Sequence, residues 1–139
     1  SDLRVAEARV GRLRCLERGY RWRSLAESAA AIPLGTDWPV ESLNPFENLY
    51  AAVTRCDLDG NPAWPAEESL PIERALRAYT HDAAYAEFAE HERGTIEVGK
   101  LADLAVIDRD LTTIPSHQLK SARTVMTVFG GRIVYRDNG

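Results

Sequence analysis

The side chains able to do chemistry in this sequence are few and scattered. An apolar run over residues 31–34 passes through Gly35 and Thr36 to Asp37, followed by Trp38 and Pro39. A short apolar run that ends on a carboxylate is the pattern of a buried strand delivering an acid at its C-terminal end. Such a carboxylate suits metal ligation or proton transfer. On spacing alone, a turn or cap carboxylate is the plainer reading of Asp37. The three histidines, His81, His91 and His117, all follow Asp37, and no His-x-His occurs. His81 and Asp82 are adjacent, and neighbours on a helix point apart, so the sequence predicts no base-and-orienter pair there. His91 at a helix end suits the helix dipole. Ser24 and Ser116 lack a nucleophile-elbow context. Cys15 and Cys56 form no CxxC pair and supply neither a disulfide framework nor a zinc knuckle, which favours a reducing, cytoplasmic setting.

The elements that must hold these groups can be read from periodicity. Val10, Leu13, Leu16 and Tyr20 recur at helical spacing, and Gly19 divides the region into two helices ending near residue 30. Arg9, Arg12, Arg14, Arg18, Arg21 and Arg23 are interleaved with Glu7, Glu17 and Glu27, which reads as a solvated, paired helical face. Residues 31–37 are expected as a strand, although Pro33 would remove a ladder hydrogen bond. Asn44-Pro45-Phe46-Glu47 is a helix start, with Asn44 as cap and Phe46, Leu49, Tyr50 and Val53 as one apolar stripe. Residues 57–66 are loop. Helices are expected at 71–79 and, capped by Thr80, at 82–90.

The period then changes to two. Strands are expected at 95–98 and 104–107, with Asp103 satisfying backbone donors at a turn. Residues 124–129 and 132–135 flank Gly130-Gly131 as a β-hairpin, since primed turns need positive φ. No helix follows that glycine pair, so it is no phosphate loop. Trp22, Trp38 and Trp64 read as core or loop anchors before a ligand cage.

Composition sets the broad class. With 45% hydrophobic and 27% charged residues the chain can build a core, and a net charge of −4 gives no electrostatic footprint for nucleic acid. No apolar run reaches the roughly 18 residues of a membrane span, and no signal peptide is visible. At 139 residues the chain has about half the length of a (β/α)8 barrel. Its abrupt opening, Ser1-Asp2 into helical sequence, suggests an interior start.

Several segments in register resemble the amidohydrolase superfamily, in particular amidohydrolase family 3 with its N-substituted formamide deformylase-like members. They are Glu17-Arg18-Gly19-Tyr20-Arg21-Trp22-Arg23-Ser24-Leu25, Leu34-Gly35-Thr36-Asp37-Trp38-Pro39-Val40, Asn44-Pro45, Ala51-Ala52-Val53-Thr54-Arg55 and Ala75-Leu76-Arg77-Ala78-Tyr79-Thr80, then residues 94–104. The resemblance implies an α/β fold with a β tail. Residues 1–92 would be the C-terminal part of a TIM barrel, with strand eight and its flanking helices. Residues 93–139 would be strands of a small composite β-sandwich.

The resemblance also implies that Asp37 ligates a divalent metal, zinc first, and takes the proton from the attacking water. Trp38 would line the substrate pocket. The family's other ligands, a His-x-His on strand one, a bridging Lys or Glu and histidines on strands five and six, match nothing in this chain. The expectation is therefore a parent enzyme that hydrolyses an amide-like, non-peptide carbon–nitrogen bond of a small molecule. The isolated chain would hold no metal and show no activity. Alternatives are a non-catalytic α+β module that self-associates as a homo-oligomer, or one chain of a split enzyme.

Overall fold

A computed structural model describes residues 2–28 and 31–139; side chains are described from residue 5 onward. The expected helix end at residues 29–30 lies outside the described residues. The N-terminal region forms helices α1 (Asp2–Val10), α2 (Arg12–Arg18) and α3 (Trp22–Ser28). Gly19 ends α2 as expected. Gly11 adds a break that periodicity did not signal, because its φ of 83° suits glycine and not a helix.

The core gathers around α4 (Pro45–Thr54). Its start follows local chemistry: Asn44 Oδ1 accepts from the Phe46 N–H at 3.1 Å, and Asn44 Nδ2 donates to Glu47 Oε1 at 3.2 Å. Asn44→Ala is expected to lower stability by about 1 kcal/mol in chemical denaturation with an unchanged slope. Phe46, Leu49, Tyr50 and Ala52 of α4 are buried with Leu70, Ala75, Leu111, Leu119 and Ala122. Leu119 sits on a 3-10 turn, Ser116–Ser121, laid against α4. Helix α5 (Ile72–Tyr79) packs on α4 and contributes Ala75 to the cluster, and α6 (His81–Ala86) packs on α5.

The sheet has three antiparallel strands in the order β1 (Leu104–Ile107), β2 (Thr124–Phe129), β3 (Arg132–Arg136). Leu104 faces Val128 and Met126 faces Arg136, with a bulge in each ladder. The hairpin turn is the expected one: Gly130 and Gly131 have φ of 54° and 76°, and the Gly130 N–H donates to Asp103 Oδ1 at 2.7 Å. Every residue of β3 is exposed, including Ile133, Val134 and Tyr135. The architecture is thus helices plus an open sheet; no closed barrel is formed among the described residues.

Three expected elements differ. Residues 31–36 are extended but join no sheet, because the Ile32 and Leu34 N–H groups are taken by Asp82 and by the Ala78 carbonyl, and Pro33 has none. Residues 95–98 form no strand: Thr95 is a bend, Ile96 and Glu97 have no regular structure and Val98 starts a turn, with Ile96 and Val98 exposed to solvent. A four-residue run without a partner strand has no ladder to join. Helix α6 is shorter than expected and Thr80 does not cap it. The Thr80 hydroxyl donates back to the Leu76 carbonyl, and the chain leaves the helix at Phe88, whose φ is 59°.

Candidate functional site

Asp37 stands at the end of the extended segment, in a turn closed by the Val40 N–H donating to the Asp37 carbonyl at 2.9 Å. A second bond runs from the Glu41 N–H to the Thr36 carbonyl at 3.2 Å. Its backbone is left-handed, with φ of 49°, a conformation that aspartate tolerates better than most residues. The carboxylate is exposed and makes no hydrogen bond or ion pair among the described residues. A turn carboxylate normally folds back on nearby N–H groups, as Asp57 does toward the Asp59 and Asn61 amides. Asp37 does not.

Trp38, Val40 and Leu43 beside it are 62%, 53% and 68% exposed, so an open apolar surface adjoins the acid. Trp38 encloses no pocket with it here. Of two shallow surface depressions, one is lined by Leu43, Asn44, Arg123 and Tyr135 and the other by Arg21, Trp64 and Glu67; neither includes Asp37 or Trp38.

The segment is positioned from behind by a charge cluster that spacing did not reveal. Asp82 is fully buried. Its Oδ2 accepts from Arg74 Nη1 at 2.5 Å and from the Ile32 N–H at 3.1 Å. Its Oδ1 accepts from His81 Nδ1 at 3.0 Å and pairs with Arg77 Nε at 3.2 Å. The expectation that His81 and Asp82 would not pair is corrected. The two residues open α6 just beyond the Thr80 break, where irregular backbone turns both side chains toward one point. The available signal was Arg74 and Arg77 three apart on α5, presenting two cations on one face with no acid at i+4 to answer Arg74.

Burial alone would raise the Asp82 carboxyl. The hydrogen bonds from His81, Ile32 and Arg74, with the Arg74 charge, outweigh it and hold the group down to about 2. A folded-state value below the ordinary 3.8 adds stability that is fully present above pH 4 and disappears as pH falls through about 2. The contribution is about 2 kcal/mol. Denaturant midpoints measured from pH 5 down to pH 2 should therefore fall more steeply for the native chain than for Asp82→Asn.

A second buried cluster braces α3. Glu68 accepts from the Ser24 N–H at 3.0 Å and from Ser24 Oγ at 2.6 Å, and pairs with Arg21 at 2.8 Å. Arg55 lies 1% exposed, 4.3 Å over the Trp22 ring and 5.8 Å from Trp64, with Nη2 donating to the Tyr20 carbonyl at 2.9 Å. The tryptophans other than Trp38 thus grip a side chain of the protein itself.

The histidines do not gather. His81 is committed to Asp82, His91 is 89% exposed beside Glu90, and His117 is exposed on the turn against α4. Among the described residues no three His, Cys, Asp or Glu side chains stand close enough together to hold a metal ion. A hydrolytic metal normally takes three protein ligands, so the residues present do not by themselves fit one. Also among the described residues, no helix is long and apolar enough to cross a membrane.

The amidohydrolase family profile matches residues 2–135. The chain belongs to the amidohydrolase family. Its similarity to several curated proteins runs through most of its length. It is 33% identical to Protein LONG AFTER FAR-RED 3 of Arabidopsis thaliana over 91% of this chain and 22% of that protein. It is 32% identical to the N-substituted formamide deformylase of Arthrobacter pascens over 84% of this chain and 21% of the enzyme. It is 28% identical to the imidazolonepropionase of Kosmotoga olearia over 88% of this chain and 28% of that enzyme. The chain therefore spans between about a fifth and somewhat over a quarter of the length of these relatives.

Proposed function

We propose that this chain is the C-terminal part of an amidohydrolase whose complete form uses a metal-activated water to hydrolyse an amide-like carbon–nitrogen bond of a small molecule. Asp37 is its contribution to the hydrolytic centre, with Trp38 beside the substrate. The observation that carries the reading is the Asp37 carboxylate itself: it is exposed and unpartnered at the tip of a braced extended segment, within a chain that matches the family over residues 2–135. An acid kept out of every local hydrogen bond is available to a partner outside the described structure.

In this reading residues 1–92 belong to the barrel and residues 93–139 to the flanking sandwich. The exposed apolar residues of β2 and β3, Phe129, Ile133, Val134 and Tyr135, are supports for that division, since such a surface calls for covering strands. The remaining metal ligands belong to polypeptide beyond this chain, which alone is inactive.

Elemental analysis tests the assignment. The 139-residue chain purified from zinc-supplemented medium should hold only traces. A version extended at its N-terminus to the length of the relatives should hold at least about one equivalent and hydrolyse N-substituted amides. Near-stoichiometric zinc on the short chain would overturn the division of ligands. An extended protein that neither binds metal nor cleaves any such bond would overturn the function.

A further inference from the structure

We propose that Asp82 is the positioning residue for Asp37, acting through the backbone of the segment between them; this rests on the reading of Asp37 given above. The extended segment has no neighbouring strand among the described residues, so its direction is set by whatever takes its N–H groups. Two alternate donors are taken by the corner between α5 and α6: Ile32 N–H by Asp82 Oδ2 at 3.1 Å and Leu34 N–H by the Ala78 carbonyl at 3.1 Å. Pro33 between them has no N–H to offer, so the segment docks by one edge only.

Asp82 itself cannot drift. Arg74 and Arg77 hold one oxygen each, His81 holds Oδ1 as well, and the side chain is fully buried. A carboxylate fixed by charge-assisted bonds on both oxygens makes a rigid acceptor for a backbone N–H. Leu34 is followed within three residues by Asp37, whose own turn is closed by two backbone bonds. The chain of constraint therefore runs from α5 through Asp82 to Ile32, and along the backbone to the carboxylate that faces solvent. Asp82 touches no reacting group in this arrangement; it decides where Asp37 points.

The test uses the 139-residue chain and nuclear magnetic resonance, so it needs neither metal nor substrate. In the native chain a through-hydrogen-bond coupling should connect the Ile32 nitrogen to the Asp82 side-chain carboxyl carbon. Its absence would overturn the proposal without any substitution. In Asp82→Ala, amide exchange at Ile32 should accelerate at least about tenfold, and the Asp37 backbone order parameter should drop from about 0.85 to below about 0.6. Leu49 and Ala52 of α4 should keep their native protection. Asp82→Asn retains an oxygen for Ile32 and should restore a large part of the loss at both positions, which a purely structural role would not predict.

If Asp82→Ala opens the whole core, Asp82→Asn decides. Acceleration confined to residues 32–37 supports positioning, and equal acceleration at Leu49 and Ala52 overturns it. Asp37→Asn leaves Ile32 protection unchanged in either event. A rigid segment combined with catalytically silent Asp37 would therefore discard the role of Asp37 and leave the Asp82 contact standing.

Discussion

Asp37→Asn, made in a polypeptide extended to the length of the relatives, is expected to lower turnover by about a hundred- to ten-thousandfold, the range for removing a carboxylate that moves a proton in the rate-limiting step. Asparagine is the informative replacement. The residue has φ of 49°, which asparagine tolerates and alanine does not, so the backbone turn survives and only the charge is lost. The side chain is exposed and unpartnered in this chain, so the denaturation midpoint should move by no more than about 0.5 kcal/mol equivalent. A large fall in turnover at constant stability separates a catalytic role from a structural one. Unchanged turnover would mean that the family position is occupied here by an ordinary surface acid.

Leu119→Ala is expected to cost about 2–5 kcal/mol of stability. Leu119 is 1% exposed and sits on the 3-10 turn against α4, in contact with the cluster formed by Phe46, Leu49 and Tyr50. The turn is short and irregular, so its attachment depends on that side chain more than on its own hydrogen bonds. The cavity would open between the helical part and the segment leading into β2, so both should loosen together. Urea denaturation followed by tryptophan fluorescence and by far-ultraviolet circular dichroism should show one shared, lowered midpoint. Two separated transitions would show instead that the sheet and the helices do not share a core.

What the sequence foretold and what it did not are separated by the range of the interactions involved. The start of α4, the break at Gly19 and the β2–β3 hairpin with its Gly130-Gly131 turn were legible because each is decided by residues within a few positions of one another. Asn44 reaches only to Phe46 and Glu47; the two glycines supply their own positive φ. The segment before Asp37 was legible as extended but not as unpaired. Whether an extended run becomes a strand depends on a neighbour, and its N–H groups found Asp82, fifty residues away, and Ala78. The run at 95–98 failed for the same reason, since alternation describes a surface that suits a sheet and says nothing of whether a sheet is there.

Site chemistry shows the same division. Asp37 could be picked out by its place in a series of motifs, and the lack of neighbouring histidines could be counted directly. The Asp82 cluster could not be foreseen, because adjacent residues on an ideal helix diverge and only the break at Thr80 brings His81 and Asp82 to one point. Nor could the burial of Arg55 between Trp22 and Trp64, which joins residues 33 and 9 positions apart in sequence. By itself, then, the sequence determined the family, the local turns and caps, and the shortage of metal ligands. Which carboxylate is buried and which is left open to solvent was decided by tertiary structure alone. A charge's surroundings are set by the groups packed around it, and those come from distant parts of the chain.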